Sequence, residues 1–454
     1  MLVVLQLLTI VGMILATFYV YQALGPRRAN FTYSKEEKAE WDSIAGNDLG
    51  SWLTVCNIFA SITSLATVYV FFIGNTRLFG WWILVPLITI WAGAFVTNHI
   101  TKLLLSKPHI LQRLTSADQS AAALPSLILD GTSEGVKAAS IVRYISLANI
   151  TAIIWMEFSV FADISSQLIA PGSITAGVIF LFACTFSVIY FTLKYGLRGF
   201  VFADLFHSPL IAFGSIALLV GSFAFLLTSL TGIKGEGAAT LLTKMAAEMS
   251  NPKIPFLGGV LFLFAAIFLN SFFVLVTEPH WLRVWMFGKK ESNLQVTSLS
   301  VTCVVWAILI VLGALASVAV SADAQVSPHI VGGDSVVIYF LGKMAEVSPL
   351  FAVAFWIAGM AALFSTSDAQ VYSFLLIERF SPSIGRIGDA SFDKVKPAFH
   401  SAAAALLFSA AYLFVRKFEL PFEQLVLLLL PSCLNIVPAL ILAIRGAPQS
   451  PALL

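Results

Sequence analysis

Charge is what this chain has least of. Only 11% of its 454 residues are Asp, Glu, Lys or Arg, against about a quarter in soluble domains. So few cannot cover a water-facing surface, which excludes an ordinary soluble globule. Cysteine is scarce too. Cys56, Cys184, Cys303 and Cys433 all fall within apolar runs. That placement argues for small buried hydrophobes and against a disulfide framework or a thiolate metal centre. The sequence contains no HExxH, no zinc pattern and no Walker loop, so zinc-hydrolase and P-loop chemistry are not expected. A formal net charge of +2 offers no basic surface for nucleic acid. No catalytic cluster stands out, and no enzyme is expected.

What is present is hydrophobic length. Residues of apolar type make up 59% of the chain, gathered into runs of roughly 20 or more, enough to span a ~30 Å hydrocarbon core. About eleven spans are predicted, near 2–22, 50–74, 80–104, 139–168, 172–193, 199–230, 256–287, 295–321, 347–377, 398–415 and 421–444. The first run, MLVVLQLLTIVGMILATFYVYQAL, lacks a basic leader and is followed by PRR, so it reads as a retained helix with its N-terminus outside. That orientation places most of the 26 Lys and Arg inside, among them Arg27, Arg28, Lys107, Arg113, Lys289 and Lys290. The outside keeps Arg77, Lys234, Lys244, Lys253, Lys343, Arg416 and Lys417. The asymmetry supports the assignment. Setting the first helix aside leaves ten spans, divided at the outer loop 231–254 into two five-helix units of opposite topology. An inverted repeat requires that arrangement.

Several polar residues fall inside these spans, where they are expensive. The stretch AALFSTSDAQ carries Ser365, Thr366, Ser367 and Asp368 within the span 347–377. An Asp there costs on the order of 2.5–3.5 kcal/mol on insertion scales. Ala362, Ser365 and Thr366 stand at i, i+3 and i+4 and share one helix face. Their hydroxyls could bond back to the preceding turn or face a polar partner. Asp204, in the span 199–230, is either an interface residue paired with Arg198 or a carboxylate facing Asp368 across a cation. Glu157 has no basic neighbour in sequence, so it pairs across helices or contacts solute or proton. Pro279, after Glu278, should break its helix and bring Glu278 to a polar cavity.

Four segments in order carry a resemblance. DLGSWLTVCNIFAS (48–61), YGLRGFVFADLFH (195–207), EPHWLRVWM (278–286) and AALFST (361–366) resemble motifs of the sodium:solute symporter family, closest to its sodium/proline type. Tyr195 and His207 stand where that pattern has Gly and Gln. Ile62 replaces an acid, and VFFI (70–73) replaces a glycine-proline break, leaving Gly74 and Asn75 as the nearest breakers. The first core helix is therefore expected to run unbroken past the midplane, and proline is not the expected solute.

The resemblance implies an all-α integral membrane protein, one N-terminal helix plus a 5+5 inverted-repeat core of the LeuT type. The expected units are 1–49, 50–230, the loop 231–254, and 255–454. It implies a sodium ion held by carbonyls of Ala60, Thr63 and Ala362 and hydroxyls of Ser365 and Thr366, oxygen ligands that suit a hard cation. Asp204 and Asp368 are candidates for an additional ion or coupling site. Ser61, Ser64, Glu157, Glu278 and Pro279 are candidates for the solute site. The expected function is sodium-coupled import of a small polar solute of amino acid, amine, sugar or carboxylate class, by a multi-pass protein of the cell's inner (plasma) membrane with a cytoplasmic C-terminus. Proton coupling, or a transport-degenerate module that senses or binds a partner, are the alternatives. Oligomeric state is not legible.

Overall fold

The computed structural model describes residues 2–24, 51–106, 123–228, 237–276, 294–330, 332–383, 385–387, 396–418 and 435–453. They are helical almost throughout. α1 is Leu2–Leu24, and α2 is Ser51–Ile62. α3 spans 65–79, wound as π-helix over Leu65–Val70 and as α-helix over Phe71–Phe79. α4 is Leu84–Leu105, α5 Ser133–Ile169 and α6 Ile174–Thr228. Then come α7 (Ala238–Met249), α8 (Phe256–Val276), α9 (Leu294–Ala322) and α10 (Asp334–Val347). α11 (Pro349–Arg379), α12 (Pro397–Lys417) and α13 (Val437–Arg445) complete the order. Strands among the described residues are limited to the pair Phe380–Ser381 and Arg386–Ile387.

Eight helices among the described residues are long and apolar enough to cross a membrane. The spans read at 172–193 and 199–230 are two limbs of α6. Gly196 bends between them with φ 63° and ψ −154°, a backbone region open to glycine and strained for other residues. Of the last span, 421–444, only the end that forms α13 lies among the described residues. Two helices escaped the hydropathy reading. α7 occupies the loop 231–254 and buries Leu241, Met245 and Met249, one face at i, i+4 and i+8. α10 precedes α11.

α11 is the centre of the bundle, and every residue from Ala358 to Ser373 is buried. Small residues let neighbours approach it closely. A methyl on Gly214 of α6 would lie 2.6 Å from Ala358, and one on Gly359 would lie 3.0 Å from Leu65. Because α11 is enclosed on all sides, its hydroxyl and carboxyl groups cannot reach water at a surface. The partners that Ser365, Thr366 and Asp368 find come from other helices.

Helix ends sort into two sets. At one, Arg77 donates to Ser327 Oγ (2.7 Å) and to the Ile330 carbonyl, Asn75 accepts from Gly333 N (3.0 Å), and Lys253 N donates to Leu78 O (2.9 Å). At the other, Arg143 caps the last turn of α11 through the carbonyls of Ile377 (3.0 Å) and Glu378 (2.6 Å). There Gln449 N also donates to Asp130 (3.0 Å). Burial opposes the charge of Asp130, but the Thr132 hydroxyl and the backbone donors of Gln449 and Thr132 outweigh it and hold its carboxyl below the usual range.

Candidate ion and solute site

The first core helix does not run unbroken. α2 stops at Ile62, Thr63 N still closes on Phe59 O at 3.1 Å, and Ser64 is extended (φ −93°, ψ 164°). Ser64 then caps α3 by accepting from Thr67 N at 3.0 Å. The break is made by a serine ten residues before Gly74, the nearest glycine breaker, without glycine or proline. A hydroxyl that satisfies the first free N–H of a new helix makes such a restart affordable. The Thr67 N–H that would have closed on the Thr63 carbonyl is turned away, so the last carbonyls of α2 lose their usual donors.

α11 meets this break with its polar strip. Thr366 Oγ1 donates to the Ser61 carbonyl (3.3 Å), and Ser365 Oγ donates to Asp204. Both hydroxyls cross between helices instead of bonding back to α11. Asp204 also accepts from Asn57 Nδ2 (2.6 Å) and Ser61 Oγ (3.5 Å). Asp368 accepts from Tyr21 of α1. His207 places Nδ1 3.9 Å from Asp204, while Nε2 lies 3.2 Å from Thr17 Oγ1. Asp204, His207 and Asp368 are all buried, with ligand atoms within 4.8 Å of one another. Two carboxylates this close in low dielectric repel unless a cation or proton offsets one charge.

The remaining candidates divide. Ala60, Thr63 and Ala362 are fully buried beside this cluster in chain position, and the Thr63 hydroxyl has no hydrogen-bond partner among the described residues. Ser61 joins the Asp204 network, whereas Ser64 is turned to its own helix. Glu157, fully buried on α5, reaches α3, where it accepts from Ala66 N (2.9 Å) and Thr67 N (3.4 Å). Glu278 and Pro279 lie outside the described residues. Sequence reasoning missed Asn57, Thr17 and Tyr21. Asn57 is a lone amide four residues before Ser61, and that was its only signal. Thr17 and Tyr21 sit on a helix read as an appendage.

This bundle of apolar spans, with an enclosed polar strip facing an interrupted helix, is an all-α multi-pass membrane fold of the LeuT type. A Na+-coupled sialic acid symporter in a substrate-bound outward-open state shares this fold, with TM-score 0.65, 14% identity, and coverage of 97% of this chain and 86% of that one. A nucleobase-cation-symport-1 family transporter with bromovinylhydantoin bound superposes at TM-score 0.45 with 14% identity over 87% of this chain and 77% of the other. MhsT in complex with L-phenylalanine does so at 0.47 with 17% identity over 86% and 84%. No family model matches the chain, and no curated relative does.

Proposed function

We propose that this protein is a secondary active transporter that imports a small polar solute together with sodium by alternating access. The observation that carries the reading is the crossing of Ser365 and Thr366 from α11 to Asp204 and to the Ser61 carbonyl beside the helix break. The donor set is almost wholly oxygen, as a hard cation prefers. Carbonyls of Ala60, Thr63 and Ala362 with the hydroxyls of Ser365 and Thr366 form the sodium site. Asp204 and Asp368 form an adjoining ion or coupling site, in which a cation offsets their repulsion. Neutral ligands keep binding weak enough for release in each cycle. The Na+-coupled symporter that shares the fold supports sodium as the ion. Each positive charge moved inward gains ~2.3 kcal/mol per 100 mV, which drives accumulation. The same reading places the N-terminus outside in the plasma membrane and divides the core into units at 50–230 and 255–454.

The test is sodium-dependent uptake into proteoliposomes by wild type and Ser365→Ala. Removing one ligand oxygen should weaken apparent sodium affinity at least tenfold, about 1.4 kcal/mol. Solute affinity should fall with it, because coupling is reciprocal. An unchanged sodium dependence would sink the site.

A further inference from the structure

The N-terminus of a half-helix inside a membrane is a ready anion site. Its first N–H groups have no carbonyl partners, and the helix dipole adds about half a positive charge. In transporters with interrupted helices such an end faces the anionic group of the solute. α3 has this end at residues 65–67, and it runs 15 residues to Phe79 (65–79). Here the anion is part of the chain. Both oxygens of Glu157 are taken by consecutive N–H groups, Ala66 at 2.9 Å and Thr67 at 3.4 Å.

Resting on the transporter reading above, we propose that Glu157 permanently fills the anion position of the helix break, and that the solute carries no carboxylate or phosphate there but is a neutral, hydrogen-bonding molecule of the polyol, sugar or amide kind. A second observation bears on what binds. The Thr63 hydroxyl, one residue before the break, is fully buried without a partner among the described residues. So is the Trp356 indole N–H, on the face of α11 that it shares with Gly359, against which Leu65 packs. Trp356 stacks edge-on to Phe161, one turn after Glu157 on α5, with ring centroids 5.7 Å apart. Thr63 through chain position and Trp356 through Gly359 and Phe161 therefore adjoin the elements that form the capped end, with neutral groups that lack partners among the described residues. A hydroxyl and an indole N–H satisfy hydroxyl or carbonyl oxygens of an uncharged solute. A carboxylate arriving at the same place would face Glu157 at contact distance.

The test uses the full-length protein in nanodiscs, with formate as the anion probe. Glu157→Ala should uncover the N–H groups, so that formate raises its thermal midpoint with half-saturation at least tenfold below any effect on wild type. Glu157→Gln keeps an acceptor oxygen in place and should show no such gain. Equal formate responses in wild type and Glu157→Ala would overturn the proposal. Should Glu157→Ala not fold, counterflow by wild type decides with matched pairs, acetamide against acetate and glycerol against lactate. Preference for the neutral member supports the proposal, and preference for the carboxylate overturns it. Where no member is transported, the same pairs are read by the thermal midpoint of wild type: stabilisation by the neutral member alone supports the proposal and counts against the transporter reading alone, and stabilisation by the carboxylate or by neither overturns the proposal.

Discussion

Asn57 holds the most exacting position among the side chains around Asp204. Its amide is 2.6 Å from a fully buried carboxylate, and hydrogen bonds to buried charge contribute about 1.5–3 kcal/mol. Asn57→Leu keeps the volume and removes the donor. Its unfolding midpoint should therefore fall by several degrees in sodium-free buffer, and sodium should restore less of it than in wild type, as read by differential scanning fluorimetry. A midpoint equal to wild type would show that Asp204 is balanced by other groups. Residues of this kind mark the limit of reading from sequence. Ser365 and Thr366 were legible because hydroxyls in an apolar span are costly and their spacing puts them on one face. Asn57, Thr17 and Tyr21 are as polar and as buried, but nothing in one dimension says which helix they will meet.

Among the elements, two breaks shape the site, and they differed in legibility. The bend in α6 falls at Gly196, a glycine visible in the motif at 195–207, with φ 63° and ψ −154°. Backbone there is close to glycine-only, and another residue costs about 1–3 kcal/mol. Gly196→Ala should lower the thermal midpoint, and its loss should exceed that of Gly237→Ala, where φ is −74° and no atom lies within 4 Å of an added methyl. Equal losses would mean that the bend relaxes without strain. The break at Ser64 was missed because glycine and proline are the expected punctuation. A serine cap satisfies one N–H of the new helix, and inside a membrane packing must reach the others, as Glu157 does from 91 residues away. Local propensity contains no trace of that contact. α7 was missed for a related reason: its single apolar face is too narrow for a hydropathy window tuned to whole spans.

For the whole molecule, the two ends carry different ties, and the alternating access we propose requires them to open in turn. At the end that holds Asp130, the C-terminal segment is fastened through Gln449 N. The Asp130 carboxyl is held below its ordinary range, so its contribution is complete at neutral pH and is lost as pH falls through that lowered value. Asp130→Ala should reduce protection of the Gln449 amide against hydrogen exchange at pH 7. In wild type that protection should survive until pH drops beneath the usual carboxylate range. The opposite end, outside in our proposal, is closed by backbone approach. A methyl on Gly74 would lie 2.2 Å from the Gly333 carbonyl oxygen, and Asn75 and Arg77 fasten the same segment. Backbone atoms on both sides leave no side chain to move aside, so Gly74→Ala must separate α3 from the 332–333 turn. Each 1.4 kcal/mol of lost closure shifts the open-to-closed ratio about tenfold. Amide exchange at Gly333 and Lys253 should rise in Gly74→Ala, while the amides beside Arg143 keep their wild-type protection. A rise at both ends would mean general loosening, and no rise at Gly333 would mean that this contact does not hold the gate.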